Sequence, residues 1–567
     1  MMQSIKKIFS NSKFHLFFII FSAFIINFYF GFRGVNIIDS FQTFDSGFRV
    51  LNGDLPFKDY MVRDGALIDI LQAFFYSVLG VNWSAFVFHA SIFNSIFAVS
   101  VFFFGRLFEI KNYENLILSI SAGFLMYPAA GTPQIDHHSL ILSFASLTFF
   151  LFLIKKEKYK FLFVVPILYI LIFFIKPVPA FYFAILIFLI SILLLIQGNK
   201  KVIIHQILGS ILGLIILFVL ISMAGISFAD IYAQTFKLSF GTYNSRIEEW
   251  KLTSFFLAPL KIKYLLFLIL PSLLFLYYDM QKIKNKKSFI NINIWIIYIL
   301  LFGLFLILAL HESYTWNQAV TFAMLPVFSV LLIFSCKEKK IIRIILYFIS
   351  LVAFVRLLRL DLIYISAIPI VFLIFLRFKK NFHSYIDVKK LILLYTVIAS
   401  LVYFEKLIVN REWQDIYQAN WQKSYDGEKI DKKFKGLKWL SNFKNTNNEI
   451  NEIKDNISYL KSNKINSIII THTQIYNVLL NKKNFSPVKY WWKENTYPNK
   501  NIVAKEKFDL FFKQKINQNK VKNVIILSDS AIGDFNKKDF KWLINCTQVD
   551  KKNSNEFREV LLVFKKC

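Results

Sequence analysis

Long apolar runs separated by short lysine-bearing gaps dominate the first four hundred residues. Phe14 to Phe32 and Val202 to Ile221 are each about long enough to cross ~30 Å of hydrocarbon as a helix. The pattern predicts spans at 14–33, 83–104, 114–130, 138–154, 161–175, 179–197, 202–224, 264–279, 289–310, 317–335, 341–356, 361–377 and 391–408. The apolar stretch Gly65 to Gly80 is too short to join them. Counting it as a span would also place the Lys155–Lys160 cluster outside, so it reads as a helix lying in the outer interface. After residue 409 the pattern changes to polar, helix-compatible segments around three short β-rich runs, Ser467 to Ile470, Asn523 to Leu527 and Val560 to Phe564. The expected fold is an α-helical polytopic membrane protein of about 13 transmembrane helices with a small C-terminal α/β extracytoplasmic domain. Its parts are residues 1–409, with a first outer loop at 34–82, and residues 410–567.

Charge fixes the orientation. Lys155, Lys156, Lys158 and Lys160, then Lys282, Lys284, Lys286 and Lys287, fall in alternate gaps, whereas 131–137 and 311–316 hold no Lys or Arg. Cytoplasmic loops of membrane proteins carry such an excess. The N-terminus is therefore expected in the cytoplasm and the tail outside, in a bacterial inner membrane. Lys6, Lys7 and Lys13 precede the first run, which reads as a signal anchor because no small-x-small cleavage site follows it. The net charge of +31 is thus largely topology, with +13 on the tail from 30 basic and 17 acidic residues, and no nucleic-acid partner is expected. The 56% apolar content excludes a soluble enzyme and a disordered chain, and the absence of period-two alternation excludes an outer-membrane barrel. Cys336, Cys546 and Cys567 have no metal-binding spacing; Cys546 and Cys567 are expected as free thiols, or paired if exported. No Gly-rich phosphate loop or nucleophile elbow occurs, which argues against a nucleotide-driven machine.

The informative groups are charges at the outer face that topology does not explain, since charge near hydrocarbon is costly. The first loop holds Asp39, Asp45, Arg49, Asp54, Lys58, Asp59, Arg63 and Asp64. Phe41, Phe44, Phe48 and Leu51 recur at helical spacing, which predicts an amphipathic helix on the membrane, with Asp39 at its start in the position of an N-cap. In TPQIDHHS, 132–139, Asp136 caps a helix or, with His137, binds a divalent metal ion or moves protons. Further groups are Lys176 in IKPVP, Arg246, His311 with Glu312, and Arg356 with Arg359. Cations at this depth suit a phosphate headgroup; snorkelling is the alternative.

The first-loop pattern resembles the GT-C class of polytopic glycosyltransferases that use polyprenyl-phosphate sugars, including protein O-mannosyltransferases and the lipid A aminoarabinose transferase. Asp39 follows the first span, Gly53 stands fourteen residues on, and Pro56-Phe57-Lys58-Asp59 and then Leu71 to Gly80 follow. The chain departs from the class at Asp39-Ser40, where many members have Asp-Glu, and at Asp64-Gly65-Ala66, where many have Gly-Pro or Pro-Pro. The match covers roughly 35–110, with weaker similarity to about 180.

The resemblance implies transfer of a sugar from a polyprenyl-phosphate donor to a glycan, lipid or protein acceptor on the outer face. It implies Asp39 and Asp136 as catalytic carboxylates. Lys176, with its Lys-Pro context, would hold the donor phosphate together with Lys58, Arg63, Arg246, Arg356 and Arg359. Asp45, Asp59, His311 and Glu312 are the acceptor and loop candidates. The one cofactor candidate is a divalent metal ion at Asp136 and His137. The rival readings are a transporter or flippase for a lipid-linked saccharide and a non-catalytic envelope assembly protein. Transport would call for charged span centres and internal repeats, which the sequence lacks.

Overall fold

The computed structural model describes residues 12–237, 404–411 and 420–567, apart from short gaps at 442–444, 464, 494–495, 499–501 and 528–534, together with positions 393, 396, 397, 400 and 401. The expected spans from 264 to 377 lie outside the described residues. The chain is mostly helical. Five helices are long and apolar enough to cross a membrane: Lys13–Phe30, Trp83–Leu107, Ile135–Lys155, Pro179–Ile196 and Lys200–Met223.

In chain order the helices are α1 Ser12–Phe30, α2 Ile37–Leu51, α3 Ala66–Leu79, α4 Trp83–Leu107, α5 Asn112–Leu125, α6 Ile135–Lys155, α7 Val164–Phe173, α8 Pro177–Ile196 and α9 Lys200–Met223. Their limits follow local chemistry. Asn82 caps α4 by accepting from the Ala85 amide at 2.8 Å, Pro177 opens α8, and α3 runs between Gly65 and Gly80, both at positive φ. Leu140, Phe144, Leu147, Phe150, Leu186 and Ile190 form the core between the long helices. Polar side chains join α1 to α4 where apolar contact alone would not fix register. Asn27 donates to Ser91 Oγ (3.0 Å), and Asn94 donates to the carbonyls of Ala23 (3.2 Å) and Gly123 (3.0 Å). The surface of α9 is apolar and exposed at Ile204, Ile207, Ile211, Leu214 and Phe218, a face suited to lipid.

The tail contains α10 Thr446–Ser462, β1 Ser467–Ile470, α11 Ile502–Gln518, β2 Asn523–Leu527, β3 Thr547–Val549 and β4 Arg558–Val563. The sheet order is β1-β2-β4-β3, with β1 parallel to β2 and the other pairs antiparallel. Period-two alternation divides its faces. Ile468, Ile470, Val524 and Ile526 pack with Phe508 and Phe512 of α11, while Ile469, Ile525 and Leu527 face Ile450 and Ile453 of α10. Cys546 and Cys567 form a disulfide, which replaces the expected free thiols.

The α10 face of the sheet belongs to the same core as the first loop. Phe41 stacks on Trp439 at 5.2 Å, and Phe44 lies 5.7 Å from Phe434 and 5.4 Å from Phe86. The apolar stripe of α2 therefore packs on protein, not on the membrane as the pattern alone suggests, because Phe434 and Trp439 compete successfully for it. The main chain leaving α1 is tied to the tail as well. The amides of Gly34 and Val35 donate to the carbonyls of Lys438 (2.8 Å) and Leu440 (3.0 Å). Helix α3 has its polar side inward, with Asp69 and Gln72 buried and Ile70, Phe74 and Val78 exposed.

Candidate functional site

Helix α6 starts after Gln134, which places Asp136 in its first turn. A carboxylate there is favoured by the helix dipole. Its side chain is an ion-pair partner of Lys176, and both groups are largely buried. Lys176 stands immediately before Pro177, and its carbonyl accepts from Ser139 Oγ at 3.0 Å, so the start of α8 is bound to α6. Arg63 pairs with Asp64 at 2.8 Å. Burial works to discharge Arg63, but Asp64, Tyr490 and Asp136 outweigh it and hold the guanidinium above its ordinary pKa. Asp136, Lys176, Arg63 and Asp64 thus form one charged cluster. A groove of about 620 Å³ between α7, α8 and α9 is lined by Tyr169, Phe173, Phe181, Phe188, Ile207 and Phe236, and its lining also includes Phe174 and Ala180, which flank Lys176 in the chain.

Gly65 lies one residue after Asp64 of this cluster, at a close approach of three segments. At φ +91° its backbone suits glycine, and a Cβ there would stand 2.8 Å from Ile135 Cγ2 and 3.1 Å from Lys489 Nζ. The first loop, the start of α6 and the tail therefore meet at one residue.

Asp39 is placed differently from the N-cap role open to it. Asn36 is the cap of α2, and Asp39 sits three residues in, accepting from Asn36 Nδ2 at 3.1 Å while its amide donates to Asn36 Oδ1 at 3.4 Å. Only the N-cap half of a capping box forms, because Asp39 accepts from the Asn36 side-chain amide and not from its backbone N–H. The Asp39 carboxylate is exposed. Ser40 beside it shares a 2.9 Å hydrogen bond with Thr132, which joins the start of α2 to the turn leading to Asp136.

Lys58 donates to the carbonyl of Ala224 (3.0 Å) and so caps the end of α9. Asp59 accepts from the Leu55 amide (2.9 Å) and pairs with Lys515 of α11 (3.2 Å). Burial raises its pKa, but these two donors win and hold it below the usual carboxylate value. Asp45 is fully buried and accepts from Asn484 Nδ2 at 2.7 Å; desolvation pushes its pKa up to about 7 against the pull of Arg49. His137 turns toward His138 (3.3 Å), whose far nitrogen meets His89 at 3.1 Å, and His89 in turn meets Gln72 at 2.8 Å. Among the described residues no group of three or more His, Cys, Asp or Glu is placed to hold a metal ion. Arg246, His311, Glu312, Arg356 and Arg359 lie outside the described residues.

A second polar cluster had no sequence signal strong enough to single it out. Asp69, with no exposure, accepts from Ser46 Oγ (2.6 Å), Tyr60 Oη (2.9 Å) and Lys489 Nζ (2.5 Å). Arg49 lies over the Tyr60 ring, bonds Asp54 at 3.1 Å and donates to the carbonyls of Ser486 (3.0 Å) and Val488 (3.3 Å). The Met61 amide donates to Pro487 (2.8 Å), and Lys483 pairs with Asp54 (3.3 Å). Residues 483–489 are thereby fastened to the first loop over their whole length. One clue was available: a lone Asp inside an apolar stretch is costly unless something pairs it. Its partner, some 420 residues away, looks like any other tail lysine.

No protein-family model matches the chain, and no curated protein matches it in sequence.

Proposed function

We propose that this chain is an integral-membrane glycosyltransferase of the bacterial inner membrane, moving a sugar from a polyprenyl-phosphate donor to an acceptor on the outer face. The observation that supports this most is the grouping of Asp136, Lys176 and Arg63, with Lys176 lying in the chain between Phe174 and Ala180, which line an apolar groove. A lipid phosphate has an apolar chain and an anionic head, and this arrangement offers a partner to each.

In the proposed step an acceptor hydroxyl or amine attacks the anomeric carbon. The C–O bond to phosphate breaks, and its electron pair leaves with the lipid phosphate, whose growing charge Lys176 and Arg63 stabilise. The proton goes to a carboxylate, Asp39 or Asp136, acting as general base. In-line attack inverts the anomeric centre and needs no covalent sugar intermediate. Asp39→Asn distinguishes the two bases. Full retained turnover in a folded Asp39→Asn protein, measured as release of free polyprenyl phosphate, removes Asp39 from the step; its loss assigns the base to Asp39.

A further inference from the structure

The tail contributes more than a cover. A parallel bridge aligns Met61 with Val488. Both segments bend directly after this bridge, Lys489 reaches within 3.1 Å of where a Cβ on Gly65 would stand, and Tyr490, next in the chain, acts electrostatically on Arg63 together with Asp136. Trp491 is fully buried in the tail core, whereas Tyr490 is half-buried and Trp492 exposed, their rings 6.2 Å apart at 72°. The Thr496 hydroxyl fixes this turn, bonding the carbonyl of Tyr490 at 2.5 Å and the amide of Trp492 at 3.1 Å. Lys489, one residue before, is locked on Asp69. The Tyr490 ring, with the Trp492 ring 6.2 Å from it, is thus carried on a tail segment that Lys489 ties to the first loop.

We infer that Tyr490 and Trp492, carried by the tail, form a saccharide-binding wall of the site. A sugar ring presents a face of weakly positive C–H bonds, which suits the negative face of an aromatic ring, and its hydroxyls suit the neighbouring carboxylates and cations. Rigid rings cost little entropy to order, so a preformed pair favours binding. The inference deepens the glycosyltransferase reading and rests on it for the role of the sugar, while the binding itself is measurable without turnover.

The test is saturation-transfer NMR on the full-length protein in sugar-free nanodiscs. The probes are methyl glycosides of glucose, mannose, galactose, N-acetylglucosamine and arabinose. The wild-type protein should saturate the ring protons of at least one glycoside. Trp492→Ala should lose about five-fold of the signal, the scale of one aromatic contact, and Trp492→Phe should keep most of it. No transfer to any glycoside, or equal transfer in Trp492→Ala, overturns the inference. So does the finding that Trp492→Ala keeps the sugar signal and loses only quenching by brominated lipid, which would make the indole an interface anchor. Glycoside binding that depends on Trp492, with no lipid phosphate released from any donor, upholds the saccharide wall and defeats the transferase reading. Release that is indifferent to Trp492 does the reverse.

Discussion

Replacing Lys489 by Met probes how the tail is held over the first loop. The side chains of Lys489 and Asp69 are 4% and 0% exposed, with 2.5 Å between Nζ and Oδ1. Met keeps most of the aliphatic volume and removes the charge. Breaking a buried pair by deleting one partner costs ~3–5 kcal/mol, because the other charge stays buried without its counterion. Ser46 and Tyr60 still donate to Asp69, so the lower end of that range applies. At ~3 kcal/mol, a domain of the tail's size should lose roughly 6–12 °C in its unfolding midpoint. Trp439 and Trp491, both fully buried in the tail, make intrinsic fluorescence the natural readout. Burial already raises the pKa of Asp69 with Lys489 present, and its loss should raise it further. The folded variant then holds a proton that the unfolded chain releases, so its stability should fall as pH rises from acid toward neutral, more steeply than in the wild type. Asp69→Asn together with Lys489→Met removes both charges of this pair and should recover much of the loss. An unchanged midpoint in Lys489→Met, or a double variant weaker than the single one, would refute the reasoning.

Three further outcomes follow from the same contacts. Asp45, with its pKa raised to about 7 by burial, holds its proton in the fold at pH values where the unfolded chain has lost it; thermal midpoints should fall between about pH 4 and pH 7, and Asp45→Asn should flatten that slope and stabilise the protein at pH 8. Gly65→Ala should weaken the junction of first loop, α6 and tail by roughly 1–3 kcal/mol, from the left-handed backbone and the 2.8 Å approach to Ile135, visible as faster hydrogen exchange in 483–489. Cys567→Ser opens the disulfide to Cys546, 21 residues away in sequence, and should destabilise the tail by about 3 kcal/mol in denaturant titration, with reducing agent mimicking it in the wild type.

Much of the architecture is legible in one dimension because its causes are local. The runs that expect spans at 14–33, 83–104, 138–154, 179–197 and 202–224 coincide with the five long apolar helices, and the three β-rich runs of the tail coincide with β1, β2 and β4. The rest depends on partners far apart in the chain. The stripe of Phe41, Phe44 and Phe48 announces an apolar face but not whether lipid or Trp439 covers it. Asp39 stands out as a charge after a span, yet Asn36 carries the cap, since either residue type caps a helix. Asp136 and Lys176 are conspicuous in their own loops, and only folding brings them together. Asp69 is visible as a single charge in an apolar stretch, whereas its partner Lys489 hides as one lysine among many.

The central claim is tested most directly by incubating the purified full-length protein with polyprenyl phosphates bearing different sugars and measuring the free lipid phosphate released. The account predicts release from at least one donor, with Asp136→Asn and Lys176→Met each slowing it by roughly 10²–10⁴-fold, as loss of a charged group at the reacting centre does. A folded wild-type protein that releases nothing from any donor, or an Asp136→Asn, Lys176→Met double variant that turns over at the wild-type rate, would contradict it.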